Sequence, residues 1–270
     1  MNTSELREFA AKIRKCIIET VYSSGQSAHI GGAMSMADIL AVLYGGVMRY
    51  NPSDPEDGER CRFILSKGHC CVGLYAALNI LGVISDEELK ANYQTDGGFL
   101  PAHTVKNPGK GIECTSGSLG MGLSFGVGKA LAAKLDGREY RTFVVAGDGE
   151  CNEGEIWEAA AAAKQYRLDN LILIIDRNKY QLDGATADIM DIDPVAALKG
   201  FGWNVTEADG HDMEELVAAL TEAAKGGCGI PCAIVANTVK GKGVSFMENN
   251  NAWHHSNISH EQYRAAMEEL

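Results

Sequence analysis

Two short runs in this 270-residue chain carry oxygen ligands at an interval suited to holding a phosphorylated ligand. Gly147-Asp148-Gly149 follows the apolar run Thr142 to Ala146, and Asn178 follows a second, Leu171 to Ile175. Both runs have the length and composition of buried strands. Where the first strand ends and turns into a helix, free N–H groups and the positive end of the helix dipole make a seat for a diphosphate. The glycines let the backbone come close to it, and Asp148 offers a hard anionic oxygen to a divalent cation. Asn178, thirty positions after Asp148, supplies a second oxygen from the neighbouring strand; the interval fits one helix and one strand. A lone Gly-Asp-Gly is weak, because a helix-start turn explains it equally well. His29, His69, His103 and His254 form a second set, able near neutral pH to donate hydrogen bonds or shuttle protons. Any one of them alone is more often structural.

These residues need elements to position them. The apolar spacing predicts a helix over residues 4–23, with Leu6, Phe9, Ile13, Ile17 and Val21 on one face. Ser35 reads as the N-cap of a helix from Met36 to Met48. Arg62 to Leu65 is a short strand, followed past Gly68-His69 by a helix to Leu81. Ser85 and Glu88 form a capping box. The small-residue run Gly117 to Gly128 opens a helix to Leu135. After the strand at 142–146 come a helix from Glu153 to Tyr166, the strand at 171–175, a helix at 194–199, a strand at 203–206, a helix at 213–225 and a strand at 232–237. Strands buried on both faces and alternating with helices predict an α/β fold with a doubly wound parallel sheet, in one domain spanning 1–270. Ligands bind at the carboxyl ends of strands in such sheets. Asp148 and Asn178 both fall there.

Composition narrows the class. With 46% hydrophobic and 22% charged residues the chain can bury a core. Its net charge of −12 disfavours nucleic acid and anionic lipid surfaces as partners. No apolar stretch reaches membrane-spanning length, and the charged N-terminus lacks a signal-peptide core, so a cytoplasmic location is expected. The eight cysteines contain no C-x-x-C pair, which argues for reduced, buried thiols rather than a zinc site.

The run Val145 to Gly154, then Trp157-Glu158-Ala159 and Asp176 to Gly184, resembles transketolase, as do Ser27-Ala28-His29-Ile30-Gly31-Gly32, Leu65-Ser66-Lys67-Gly68-His69, Pro101-Ala102-His103, Gly117-Ser118-Leu119-Gly120-Met121-Gly122-Leu123, and Lys240-Gly241-Lys242-Gly243-Val244 leading to Trp253-His254-His255. The resemblance covers residues 5 to about 260. It implies the diphosphate-binding fold of thiamine-diphosphate enzymes, with Mg²⁺ or Ca²⁺ on Asp148, Asn178 and the Tyr180 carbonyl. It places Gly147, Gly149, Gly117, Ser118, Leu119, His69 and His254 at the cofactor, and His29, His103 and His254 at the substrate oxygens. Glu153 is carried over to the cofactor site, and with Glu158 matches carboxylates near the family's subunit interface. Charge complementing the helix N-terminus is the alternative for both. The adjacent His255 leaves the register of His254 open, and a metal site of His254, His255 and His260 is a further competitor. Ala28 and Ile30 replace the family's glycine and proline around His29, and Pro-Ala-His-Thr replaces Gly-His-Pro at His103, leaving the sugar open.

The resemblance also implies what must come from elsewhere. The family's catalytic glutamate lies in a pyrimidine-binding domain beyond the matched region. A separate C-terminal subunit is therefore expected, in an α2β2-type complex acting on sugar phosphates. Within enzymes the rivals are the α subunit of a 2-oxo acid dehydrogenase, which lacks these histidine loops, and a split deoxyxylulose-phosphate synthase. The other readings are a subunit for an unusual ketose phosphate and a regulatory subunit that binds cofactor without catalysis.

Overall fold

The computed structural model describes residues 1–270. Helix α1 (Thr3–Ser24) is started by a reciprocal capping box between Asn2 and Glu5 and stopped by Gly25 at φ +65°. Two short helices follow, α2 (Ile30–Ser35) and α3 (Ala37–Val42), wholly buried. Strand β1 (Arg62–Leu65) leads through a tight turn at Gly68–Cys70 into α4 (Cys71–Ile80), and α5 (Asp86–Asn92) opens on the expected Ser85–Glu88 capping box. The centre comprises α6 (Met121–Leu135), β2 (Thr142–Gly147), α7 (Gly154–Gln165) and β3 (Leu171–Arg177). A small hairpin of β4 (Tyr180–Gln181) and β5 (Gly184–Ala185) and a single helical turn, α8 (Thr186–Ile189), precede α9 (Pro194–Gly200). Strand β6 (Asn204–Asp209), α10 (Met213–Lys225), β7 (Cys232–Asn237) and α11 (His260–Glu269) complete the chain.

Strands β1, β2, β3, β7 and β6 lie in that order in one all-parallel sheet. Alternation along the strands feeds two cores. Phe143, Val145, Ile172, Ile174 and Ile234 face a large cluster shared with α1, α3, α4 and α10, whereas Val144, Leu171, Leu173, Ile175 and Val235 face a smaller one under α6, α7 and α9. The doubly wound parallel sheet predicted from the apolar runs is therefore present.

Four local readings are corrected. Ser35 is not an N-cap: it is the last residue of α2, its hydroxyl bonds Asp176 2.6 Å away, and Met36 takes the cap of α3. The helix expected to Met48 stops at Val42 and gives way to a wider turn over Leu43–Val47. Gly117–Gly120 form a loop, and α6 starts only at Met121. The fourth strand begins at Asn204, with Trp203 buried just before it. The hairpin β4–β5 and helix α11 had no apolar period long enough to announce them.

Candidate active site

At the carboxyl ends of β1, β2 and β3 a cavity of about 500 Å³ opens, lined among others by His29, His69, His103, His254, Asp148, Asn178 and Tyr180. A cavity of similar size, about 530 Å³, lies elsewhere, between α1, α4, α5 and α11; its wall includes Cys16, Glu19, Asn79, Asp86 and Tyr263 but none of the motif residues. The chemistry sits in the former.

Asp148 stands at the turn after β2. One carboxylate oxygen accepts the Gly149 N–H at 2.9 Å and the other the Lys179 N–H at 2.5 Å. The second bond fastens β2 to the turn after β3, where Lys179 adopts φ +69°, a left-handed conformation uncommon outside glycine. Asn178 Oδ1 accepts the Tyr180 N–H at 3.1 Å, which folds that turn back over the cavity. Gly149 has no room for a side chain: a Cβ there would stand 2.8 Å from the Gln181 Cβ. Burial, and then the neighbouring Asp176, push the Asp148 carboxyl up to about 6. Buried carboxylates crowded in this way are electrostatically incomplete, and a divalent cation held by oxygens corrects that. The donor set of Asp148, Asn178 and the Tyr180 carbonyl therefore fits Mg²⁺ or Ca²⁺.

Beneath it lies a charged layer that the sequence did not announce. Lys67 is buried and paired with the fully buried Asp176, and it also donates to the Gly32 carbonyl at 3.2 Å. Burial opposes its charge, but the Asp176 carboxylate outweighs this and raises the Lys67 pKa. Asp176 further accepts from Ser35 and Thr238, so four parts of the chain meet on one carboxylate. Glu150 is the second such node. It accepts from the Ser66 hydroxyl, the Gly120 N–H at 2.8 Å and the Gly147 N–H at 3.0 Å, tying together the three loops of the cavity floor. Its position directly after Gly-Asp-Gly was the one signal the sequence offered; Lys67, beside the Gly68-His69 motif, had a similar one.

The histidines converge on one another. The His29 ring centroid lies 4.8 Å from His69, 5.3 Å from His254, 6.0 Å from His103 and 4.5 Å from His255. Burial first, and the neighbouring imidazoles next, depress His29 to about 3. Burial and then Lys240 hold His254 at about 4, while burial and then Lys67 hold His69 well below its usual value. These rings are neutral at physiological pH and present N–H donors and nitrogen acceptors rather than positive charge. His254 lines the cavity, and His255 is an exposed neighbour. His260 instead pairs with the Tyr22 hydroxyl at 2.8 Å on α11, so the three-histidine metal site does not assemble.

Gly117 and Leu119 line the cavity, and Gly117 abuts the His103 ring, its Cβ position 3.5 Å away. Ser118 between them is exposed and outside the cavity wall. Glu153 lines the rim at the N-cap position of α7 without making a capping bond, and Glu158 lies exposed one turn further along. Lys240, which in the sequence stands out only as part of a motif run, is a wall residue 1% exposed.

A glycine-flanked turn bearing Asp148 and Asn178 at the strand ends and a cluster of imidazoles in one cavity are the features expected of an α/β domain for a phosphorylated cofactor. Over residues 6–270 the chain matches the family described as transketolase, thiamine diphosphate binding domain. The chain belongs to that family. It is 41% identical to one of the apulose-4-phosphate transketolase subunits of Phocaeicola vulgatus, over 100% of this chain and 95% of that protein. To 6-deoxy-6-sulfo-D-fructose transketolase subunit SqwG of a Clostridium species it is 42% identical, over 98% of this chain and 96% of that one. Transketolase from Campylobacter jejuni superposes with a TM-score of 0.90 at 31% identity, covering 99% of this chain and 43% of that one. The chain thus spans nearly all of the two subunits and under half of the solved transketolase.

Proposed function

We propose that this chain is the thiamine-diphosphate-binding subunit of a two-subunit transketolase, moving a two-carbon ketol unit from a ketose phosphate, or a close analogue, to an aldose acceptor. The observation that carries it is the convergence of the Asp148–Asn178 turn and four histidines on one cavity. Its near-complete length match to two proteins named as transketolase subunits supports a separate partner. Thiamine diphosphate, when bound, supplies the nucleophilic carbon that carries the two-carbon unit. The metal would be held by Asp148, Asn178 and the Tyr180 carbonyl, and the diphosphate by Gly147, Gly149, His69 and the Gly117–Leu119 loop. His29, His103 and His254, gathered at one end of the cavity, bind the sugar hydroxyls and donate to the oxygen that gains charge as the carbonyl is attacked.

Both of these relatives are named for unusual ketoses, and Ala28, Ile30 and Ala102 alter the loops around His29 and His103. Those changes favour a donor outside the common pentose phosphates. The intact metal and histidine sets weigh against a purely regulatory role. The partner is a chain carrying the pyrimidine-binding domain, joined in an α2β2 assembly in the cytoplasm. No helix here is long and apolar enough to cross a membrane. The deciding experiment is a ketol-transfer assay with thiamine diphosphate and Mg²⁺ over a panel of donor ketoses, on this chain alone and with its partner subunit. Turnover only in the pair is expected; turnover in the isolated chain overturns the two-subunit reading, and none in the pair with any donor overturns the activity.

A further inference from the structure

Of the cavity histidines, His254 has a side-chain partner that can only donate. Lys240 Nζ lies 2.8 Å from His254 Nδ1 and 3.0 Å from Asn251 Oδ1. Burial lowers the Lys240 pKa to about 8, so at neutral pH it is an ammonium, with three hydrogens and no acceptor; Nδ1 must then accept and the ring proton must reside on Nε2. Nothing in the motif spacing singles out this contact, because the two residues are fourteen positions apart in irregular chain.

The lysine is held firmly enough to impose that choice. Its stem passes over Gly31, where a Cβ would stand 2.9 Å from Lys240 Cγ, so only glycine leaves the path open. The backbone on either side is pinned: the Gly241 N–H donates to the Gly31 carbonyl and the Asn249 N–H to the Lys240 carbonyl, each at 2.9 Å. One residue earlier, the Val239 N–H donates to His211 Nε2 at 2.8 Å. The His211 Nδ1 lies 2.6 Å from Asp38, and Asp38 is braced from behind by Arg14. A largely shielded chain of hydrogen bonds from α1 and α3 therefore ends at the residue before Lys240. Gly31 lies two residues from His29, so the clasp also anchors the backbone that carries that ring.

We infer that Lys240 is the positioning residue that locks His254 in its Nε2–H tautomer, so that His254 meets the substrate as a hydrogen-bond donor and not as a base. The inference rests on the proposed placing of His254 at the sugar oxygens. Its first readout is independent of activity.

The test begins with ¹⁵N-histidine NMR of the folded chain, whose ring shifts separate a protonated from an unprotonated nitrogen. In the natural chain His254 is expected to carry its proton on Nε2 alone. Lys240→Met keeps the stem and removes the donor; it should give a mixture of tautomers. Lys240→Arg, still donor-only, should restore the Nε2–H form. In the assembled pair Lys240→Met should lower kcat by about tenfold to a hundredfold, the range for losing a group that orients a reacting ligand, with a smaller change in KM for the donor sugar. A proton on Nδ1 in the natural chain, or an unchanged pattern in Lys240→Met, overturns the inference. So does a tautomer mixture with kcat intact. Should the natural pair transfer no ketol unit while the NMR pattern appears as expected, the proposed activity fails and the tautomer assignment stands.

Discussion

Glu150 and the histidines carry opposite lessons about burying ionisable groups. Burial pushes the Glu150 carboxyl up, yet three donors from three loops converge on it. Removing it strands the Gly120 and Gly147 N–H groups away from water. Glu150→Ala is therefore expected to lower stability by about 3 kcal/mol, read as a shift in the urea midpoint at constant slope. His29 and His254 behave differently, because burial first, and positive or imidazole neighbours next, leave them neutral. His29 falls from 6.5 to about 3 and His254 from 6.5 to about 4. The unfolded chain takes up protons that the folded one refuses, so their stabilisation is complete above pH 6.5 and drains away as pH falls toward 4 and then 3. Urea melts of the free chain should lose stability through that window, and His29→Asn should flatten the slope. An unchanged slope would show that His29 is protonated in the folded chain. At the turn proposed to hold the metal, Asp148→Ala should weaken Mg²⁺-dependent cofactor binding by at least about a hundredfold, measured by titration calorimetry. Mg²⁺-dependent binding that survives this change would place the cation elsewhere, and binding that survives a chelator would show that no cation is needed.

At the level of elements, α6 owes its place to two glycines. A Cβ at Gly126 would stand 2.5 Å from Val144 Cγ2 on β2, and one at Gly122 would stand 2.6 Å from the Ser66 backbone after β1. The helix thus lies directly on the strand ends, and the loop before it is pressed against His103. Gly126→Ala should destabilise the fold by about 2 kcal/mol through overpacking. Gly122→Ala should also displace Ser66 from Glu150 and weaken cofactor binding in the same titration. A stability equal to that of the natural chain in both would mean that α6 can slide. Much of this level could be read in the sequence: the strand runs are unbroken apolar stretches, and α1, α5 and α10 have clear caps and faces. The turn at Gly147-Asp148-Gly149 was equally plain, because it is built from consecutive residues directly after an apolar run. What escaped was long-range. Ser35 looked like a cap locally, but its hydroxyl serves Asp176, 141 positions away. Lys67, Glu150 and Lys240 acquire meaning only from partners that the topology delivers.

For the whole molecule, one exposed stripe of α6 carries no charge. Met121, Phe125 and Leu135 are 41%, 44% and 78% exposed, with Gly128 and Ala132 between them on the same stripe. The stripe starts next to the cavity-lining loop, which is where the proposed partner subunit would have to sit to complete the site. Phe125→Glu is expected to raise the dissociation constant for the partner subunit by about tenfold or more while leaving the melting of the free chain unchanged. Equal affinity in sedimentation or light scattering would move the interface to another face.

The strand order has a consequence for how the chain is made. Strand β7 is the last strand of the sheet in sequence and yet lies between β3 and β6. As the chain leaves the ribosome, β3 must wait with one edge unpaired until residues 232–237 emerge, more than fifty residues after β3 itself. The wholly apolar stretch Leu171 to Ile175 of β3 thus keeps an open edge while that segment is made, the condition under which nascent chains stick to one another. A nascent chain halted before β7 should be bound by chaperones and cleaved readily by protease, and release of that final strand should close the sheet and the floor of the site in one step.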